Sequence, residues 1–212
     1  MVERPTNHDA RLAFWEAVHH GKAEDSVSWW QSVPELSLGL VQQAGVPTDA
    51  AVIDVGAGSS TLVDHLLALG YCDLTAIDLS ASALDAMRRR LGSRGSAVAL
   101  EVADVLELHL GRRFALWHDR AVFHFLVEAA ERDEYRASLR RSLEPGGSLI
   151  VATFGPDAPT TCSGLPIMRY NHDGLAAEFA DDFDVVARST EDHVTPWGTT
   201  QQFIAVLLRA RR

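Results

Sequence analysis

The chain has 212 residues, of which 47% are apolar and 23% are charged, a composition typical of a folded domain that excludes extensive disorder. Its formal net charge of −10 argues against a nucleic-acid partner, because a protein that follows a phosphate backbone needs a basic face. No apolar stretch has the length of a membrane span and no signal-peptide core is recognisable, so we expect a soluble, cytoplasmic protein without a membrane partner.

The two cysteines, Cys72 and Cys162, are far apart in the sequence and imply neither a disulfide framework nor a zinc site. The nine histidines include no His-x-x-x-His pair beside a carboxylate, so we expect no metal. None of these features determines the oligomeric state.

The first part of the chain is predicted to contain two helices. Apolar residues at helical spacing predict helices over residues 9–20 and 36–44. Two adjacent tryptophans, Trp29 and Trp30, lie between these helices. We expect residues 1–45 to form a helical cap over a ligand site.

The remaining residues, 46–212, alternate predicted strands with predicted helices, and we expect them to form the core of the same single domain. This alternation is typical of a parallel sheet with helices on both faces. The predicted strands cover residues 52–55, 74–77, 98–102, 114–118, 148–154, 183–189 and 202–208, and the predicted helices cover 61–69, 82–90, 132–143 and 175–179. The last two strands are joined by a connection too short for a crossover helix, so they are expected to pair antiparallel. The prediction is a Rossmann-like α/β fold with a seven-stranded, mostly parallel sheet and an antiparallel last strand.

A glycine-rich turn follows the first predicted strand and opens a helix. Gly56 and Gly58 have no Cβ, which allows the backbone to approach a ligand closely. The second strand ends in Asp78, and a carboxylate at this place accepts hydrogen bonds from ribose hydroxyls. A dinucleotide fingerprint needs a third glycine where Thr61 stands, whereas Asp54 adds a negative charge beside the turn. The pattern therefore favours a nucleoside ligand with a cationic end.

The motif of Asp54, Gly56 and Gly58 resembles the first motif of the class I S-adenosylmethionine (SAM) methyltransferases, with Ser60 in place of the usual third glycine. The resemblance covers residues 52–208 and implies SAM as the cofactor and S-adenosylhomocysteine (SAH) as the product. It also implies that the glycine turn faces the methionine part of SAM, that the carboxylate after the second strand binds the ribose, and that the carboxylate after the third strand binds the adenine. The cofactor-binding residues implied in this way, with the tryptophan pair as a cover, are Asp54, Gly56, Ala57, Gly58, Asp78, Leu79, Asp104, Val105, Trp29 and Trp30.

The predicted fourth strand ends in three polar residues, His118, Asp119 and Arg120. Because parallel sheets bind ligands at the carboxyl ends of their strands, we expect these side chains near the transferred methyl group and treat them as catalytic candidates. The sequences Asp-Arg-Ala at 119–121 and Arg-Asp-Glu-Tyr at 132–135 resemble those of the thiopurine and thiol S-methyltransferase family. This resemblance implies that Arg120 lies beside the acceptor, although a salt bridge to a nearby carboxylate is an equal alternative.

A long connection, residues 155–170, follows the fifth strand and has a poorly helical composition. A loop of this length in a compact domain is usually a lid or a binding loop, so we expect it over the acceptor site. Arg169 and Tyr170 are candidates either to bind an acidic or planar acceptor or to anchor the loop. His124 is a further candidate for the acceptor site, although its apolar neighbours favour a structural role.

Three functions are compatible with these features. The first is a SAM-dependent methyltransferase for a small-molecule acceptor, with a soft nucleophile such as a thiol favoured because a thiol of pKa about 8.5 needs no dedicated base. An amine acceptor would need a base, for which His118, Asp119 or His124 would serve. The second function is a protein lysine methyltransferase, whose cationic substrate an acidic, tryptophan-rich entrance would suit. The third is a SAM-binding module without catalysis, and an NAD-dependent oxidoreductase is disfavoured because the third fingerprint glycine is missing.

Overall fold

The computed structural model describes residues 3–211, so residues 1 and 2 of the predicted cap and residue 212 of the predicted core lie outside the described residues. The strands are β1 (Val52–Val55), β2 (Leu74–Asp78), β3 (Val98–Val102), β4 (Phe114–Arg120), β5 (Leu143–Phe154), β6 (Thr161–Cys162), β7 (Leu165–Pro166), β8 (Phe183–Val194) and β9 (Thr200–Ala210). The α-helices are α1 (His8–His19), α2 (Glu35–Ala44), α3 (Leu62–Ala68), α4 (Ala81–Leu91), α5 (Ala129–Ser142) and α6 (His172–Ala177).

Seven of the strands form one sheet in the order β3-β2-β1-β4-β5-β9-β8. The strands from β1 to β5 pair in parallel, and β9 pairs antiparallel with both β5 and β8. The predicted Rossmann-like fold with a mostly parallel, seven-stranded sheet is therefore confirmed. The strand order reverses between β1 and β4, and open α/β sheets bind ligands outside the carboxyl ends of the strands at such a switch point.

Two apolar layers hold the helices against the sheet. On one face α2, α3 and α4 contribute Leu40, Leu66 and Met87, and on the other α5 and α6 contribute Tyr135 and Leu175. All five side chains are almost completely buried. A parallel sheet that is covered on both faces needs apolar side chains pointing in both directions, and their burial is the main favourable term in folding. The packed layers give the strand ends a rigid base.

Several element boundaries differ from the predicted ones. Strand β4 continues to Arg120, beyond the predicted end at residue 118. Helix α4 begins at Ala81, with Ser80 as its N-cap, because the Ser80 hydroxyl accepts a hydrogen bond from the Ala83 N–H at 3.1 Å. Helix α5 begins at Ala129, earlier than the predicted start at residue 132.

The long connection at 155–170 contains a small hairpin formed by β6 and β7. Ser163 and Gly164 form its turn with φ angles of 50° and 78°. Two consecutive left-handed residues are typical of a two-residue hairpin turn, and they give this loop a defined shape that its composition did not indicate. None of the helices formed by residues 3–211 is long and apolar enough to cross a membrane.

Candidate active site

A cleft opens at the carboxyl ends of β1, β2 and β4, next to α1. The predicted cofactor residues that line it are Trp29, Gly56, Gly58, Asp78, Leu79, Asp104 and Val105. A smaller side cavity shares Trp29, Gly56 and Arg120 with the cleft, and the predicted cofactor residues that line it in addition are Trp30, Asp54 and Ala57. The structure therefore brings all the predicted cofactor residues together around the cleft and its side cavity.

Asp78 ends β2 with both carboxylate oxygens bound to backbone N–H groups. Its Oδ2 accepts from Gly58 at 2.8 Å and its Oδ1 accepts from Ser80 at 2.7 Å. Burial raises the pKa of Asp78, while the nearby His19 lowers it. The carboxylate fixes the glycine turn against the end of β2, and each oxygen retains acceptor capacity for a ligand hydroxyl.

Asp104 follows β3 and is bound by a residue of α1. Its Oδ2 accepts from Arg11 Nε at 2.8 Å and from Arg11 Nη2 at 2.7 Å, and its Oδ1 accepts from the Leu106 N–H at 3.0 Å. Both side chains of the ion pair are largely buried. Asp104 thus lines the cleft as expected, but it also holds α1 in place, which the sequence did not indicate.

Helix α1 contributes three residues to the cleft that were missing from the predicted site. Arg11, Trp15 and His19 all line the cleft. They recur every four residues and therefore share one face of the helix, which was a signal available in the sequence. The neighbouring Glu16 accepts from the Ser80 hydroxyl at 2.8 Å, so α1 is also attached to the start of α4.

Gly56 lies where the backbone permits no larger residue. Its φ angle is +61°, and a Cβ at this position would overlap the side chain of Val122. By contrast, a Cβ at Gly39 in α2 would have no neighbour within 4 Å. The glycine after β1 is therefore required both by the left-handed backbone and by close packing.

We expect Gly56→Ala to lower the free energy of unfolding by about 1–3 kcal/mol, because alanine is strained at this φ and displaces Val122. The matched control, Gly39→Ala, replaces a glycine in a helix interior and is expected to raise the free energy of unfolding by up to about 1 kcal/mol. Urea unfolding of the three proteins measures both values. Two variants of equal stability would contradict this account of Gly56.

Asp54 and His118 lie opposite each other on β1 and β4. Asp54 Oδ1 is 2.7 Å from His118 Nδ1, and His118 Nε2 is 2.8 Å from the hydroxyl oxygen of Ser37 in α2. The other carboxylate oxygen of Asp54 is buried without a hydrogen-bond partner. Both ring nitrogens of His118 are thus engaged on the wall of the side cavity, and its action on the acceptor remains a prediction.

Asp119 points away from the cleft because side chains alternate along β4. His118 and Arg120 share one face of the strand, and Asp119 lies on the other. Its carboxylate accepts from the Tyr135 hydroxyl at 2.8 Å and from the Val122 N–H at 3.0 Å, and burial raises its pKa to about 6. The expectation that Asp119 is catalytic is therefore corrected: it connects the segment after β4 to α5.

Arg120 lines the cleft, at the end of β4. Its Nη1 donates to the Trp29 carbonyl at 3.2 Å, its Nη2 is 3.5 Å from a Glu191 carboxylate oxygen, and its guanidinium carbon lies 4.0 Å from the centre of the Phe203 ring. Its salt bridge is thus with Glu191 of β8. The Nε–H is buried and has no hydrogen-bond partner in the described structure.

His124 is completely buried outside the cleft. Its Nδ1 accepts from the Phe154 N–H at 3.3 Å, and its ring packs against Phe125 and Phe154 at centroid distances of 4.5 and 5.0 Å. Burial lowers its pKa to about 3, so the ring is neutral at physiological pH. These contacts correct its candidacy as an acceptor residue and show a structural role.

The tip of the β6–β7 hairpin lies in the cleft. Cys162 and Ser163 both line it, and neither was among the predicted site residues. The Ser163 hydroxyl is buried without a partner. Burial raises the pKa of Cys162 to about 11, so this thiol is protonated at neutral pH.

Arg169 and Tyr170 anchor the loop, which is the second of the two roles considered for them. Arg169 Nη1 donates to the carbonyl groups of Pro156 and Ala158 at 2.6 and 2.9 Å. The Tyr170 N–H donates to the Phe154 carbonyl at 3.1 Å. Neither side chain lines the cleft, so the expectation that they bind the acceptor is corrected.

Residues 52–147 match the family model described as a methyltransferase domain. The matched residues begin at β1 and end within β5, and they include the glycine turn, Asp78, Asp104 and Arg120. The prediction that the protein is an enzyme of the methyltransferase class is therefore confirmed. Helix α1, which also lines the cleft, precedes the matched residues.

The methyltransferase is similar to proteins with different acceptors. A human protein, EEF1A lysine methyltransferase 2, is 24% identical over 209 residues, which cover 92% of this chain and 83% of that one. A structure described as the conversion of a disulfide bond into a thioacetal group during echinomycin biosynthesis has a TM-score of 0.75 and 23% identity, covering 94% of this chain and 93% of that one. The glycopeptide N-methyltransferase MtfA, complexed with SAH, has a TM-score of 0.67 and 19% identity, covering 92% and 96%. None of the three is described as a thiopurine or thiol S-methyltransferase, so that resemblance remains a prediction.

Proposed function

We propose that this methyltransferase uses SAM to methylate a soft, anionic acceptor, such as the thiolate of a small molecule. SAM supplies an electrophilic methyl group on a sulfonium centre. The methyltransferase domain and the SAH complex of MtfA support SAM as the cofactor, as the sequence predicted. The proposal for the acceptor rests on the Arg120 end of the cleft, where two buried donors have no hydrogen-bond partner.

The charged residues of the cleft fit the functional groups of SAM. Asp78 retains acceptor capacity for the ribose hydroxyls, and Asp104 lines the cleft at the place expected for the adenine. The unpaired oxygen of Asp54 is buried beside the side cavity. An unpaired buried carboxylate oxygen is unfavourable, and the ammonium group of SAM is a cation that would pair with it.

Two unpaired donors favour an anionic acceptor. Arg120 Nε and Ser163 Oγ are both buried without a partner, and both residues line the cleft. A guanidinium group next to the acceptor stabilises a thiolate or another anion and repels an ammonium group. Charge at this end of the cleft therefore favours thiolate over protonated amine.

The carboxylate beside Arg120, that of Glu191, is paired with the guanidinium group, and the nearby thiol and the two predicted histidines are poor bases at neutral pH. The Cys162 thiol is already protonated, because burial raises its pKa to about 11. His118 has both ring nitrogens engaged, and His124 lies outside the cleft with a pKa of about 3. A thiol of pKa about 8.5 forms some thiolate in water at neutral pH, whereas an amine of pKa about 10.4 depends much more on a base.

The protein's contribution to the reaction is then positioning and desolvation. Trp15, Trp29, Val122 and Phe125 give the cleft apolar walls, which reduce the water around a bound nucleophile. Holding two reactants in line removes much of the entropic barrier of a displacement reaction. Arg120, the one cation at the acceptor end of the described cleft, orients the anion.

We expect kcat/KM for thiol acceptors to rise with pH along the ionisation curve of the acceptor itself, because the proposal assigns no side chain to remove the acceptor's proton. The measurement is kcat/KM between about pH 6 and about pH 9 for two thiols of different pKa. The inflection should move with the pKa of the thiol. An inflection that stays at one pH for both thiols would identify an enzyme base and contradict the proposal.

A protein lysine acceptor is the second candidate. It is favoured by the similarity to EEF1A lysine methyltransferase 2 and by an acidic groove lined by Trp30, Glu35, Glu191 and Asp192. Methyl-labelled SAM incubated with a cell extract separates the candidates. Label in small molecules, lost when the extract is dialysed, supports the thiol acceptor, and label fixed in protein supports lysine. Label in neither fraction would leave the non-catalytic SAM-binding module.

A further inference from the structure

We infer that His118 and Ser37 are positioning residues that hold Asp54 for the ammonium group of the cofactor. This inference rests on the proposed use of SAM and concerns two residues that do not touch the acceptor. It assigns a role to a buried chain of hydrogen bonds that links α2, β4 and β1, running from Ser37 through His118 to Asp54.

The direction of the hydrogen bonds follows from the chemistry of the three groups. An ionised Asp54 only accepts, so His118 Nδ1 carries a hydrogen and donates it to Oδ1 across 2.7 Å. The lone pair of a neutral ring is then on Nε2, which accepts from the Ser37 hydroxyl across 2.8 Å. Asp54 therefore selects the tautomer of His118, and the Ser37 hydroxyl holds the ring in place from the opposite side.

The chain leaves one oxygen of Asp54 without a partner. All three residues are at most 4% exposed, so water does not replace the missing hydrogen bond freely. Asp54, His118 and Ser37 all line the side cavity, which shares Trp29, Gly56 and Arg120 with the cleft, and Arg120 is itself paired with Glu191. A carboxylate that is fixed by one oxygen and open at the other offers a pre-oriented site for a cation with several N–H donors.

The order of groups is that of a Ser-His-Asp triad, but the arrangement does not support nucleophilic catalysis by Ser37. The hydroxyl lies on α2, is 2% exposed and has the imidazole as its hydrogen-bond partner. A catalytic serine must instead face a substrate-sized space with oxyanion donors. Within this chain of hydrogen bonds, the group that faces a bound molecule is therefore Asp54.

Two ligands test the inference, because 5′-methylthioadenosine has the adenosine and sulfur of SAH but lacks its amino acid. We expect His118→Leu to weaken SAH binding by about 10- to 100-fold, the range for one hydrogen bond to a charged group, and to change the Kd of 5′-methylthioadenosine by less than about threefold. His118→Asn keeps an N–H near the position of Nδ1 and should restore most of the SAH affinity. Isothermal titration calorimetry measures all these constants without turnover.

Ser37→Ala is a smaller change that tests the same chain if His118→Leu does not fold. It should lower the preference for SAH over 5′-methylthioadenosine by about three- to tenfold, because the His118 ring loses the hydrogen bond that fixes its orientation towards Asp54. Ser138→Ala is the matched control, since Ser138 is a buried serine that donates to the Leu106 carbonyl elsewhere in the domain. If His118→Leu and Ser37→Ala each lost as much affinity for 5′-methylthioadenosine as for SAH, the chain of hydrogen bonds would have only a structural role, and the inference would be overturned. A wild-type protein that binds neither ligand would overturn the proposed cofactor instead.

Discussion

Replacing Asp78 by asparagine is expected to weaken SAH binding by about 10²-fold or more, equivalent to at least about 2.7 kcal/mol. The carboxylate accepts hydrogen bonds from the Gly58 and Ser80 N–H groups with both oxygens, so its charge and its two acceptors organise the turn and the ribose site together. Asparagine has one acceptor oxygen, and its NH₂ group would face one of these backbone donors. Isothermal titration calorimetry with SAH measures the loss.

Asp85→Asn is the control for the Asp78 variant. Asp85 lies on α4 with an exposed side chain and pairs with Arg88 on the same helix, so its charge has little effect on the cleft. Its SAH affinity should remain within about twofold of wild type. If Asp78→Asn bound SAH as well as Asp85→Asn does, the carboxylate would not belong to the cofactor site, and the proposed cofactor position would have to be abandoned.

Arg120→Met is expected to lower kcat/KM for a thiol acceptor by about 10²-fold while changing the Kd of SAH by less than about threefold. Methionine fills part of the space above Phe203 but removes the charge and the unpaired Nε donor that we propose for the acceptor. Arg120→Lys retains the positive charge but lacks the planar set of donors, so its kcat/KM should lie between the values of wild type and Arg120→Met. Initial rates with a thiol and a separate SAH titration give the two constants.

Arg112→Met is a close control, because Arg112 also lies over an aromatic ring, that of Phe114, at 5.1 Å, and its side chain is solvent-exposed. It should leave both constants close to wild type. Thermal unfolding of each variant checks that removal of the partner of Glu191 has not simply unfolded the domain. A normal turnover rate in Arg120→Met would remove Arg120 from the acceptor site, and a parallel loss of SAH affinity would assign it to the cofactor.

The sequence predicted the architecture and the position of the cleft because both follow from local patterns. Strand β1 and strand β3 have the predicted bounds, and the polar residues after β1, β2 and β3 surround one cleft because parallel strands end at the same edge of the sheet. The glycine turn is explained by a positive φ and by the close approach of Val122. Each of these signals lies within a few residues of the position that it predicts.

The acceptor side was predicted less well, for two different reasons. Asp119 was assigned to the cleft although the alternation of side chains along β4 already places it on the face opposite Arg120. The Arg11–Asp104 and Ser37–His118 contacts are of another kind, because their partners are 93 and 81 residues apart in the chain. No local pattern relates such residues, and only the packing of α1 and α2 onto the ends of the strands brings them together.

The attachment of α1 has a thermodynamic consequence. This helix has no completely buried residue, and it is held by polar contacts from Arg11 and Glu16 to the ends of β3 and the start of α4. Because the same helix face lines the cleft, docking of α1 and occupancy of the cleft are linked equilibria, and each must change the other by the same free energy. Any free energy by which a bound molecule favours the docked helix is therefore the same free energy by which docking of α1 favours binding.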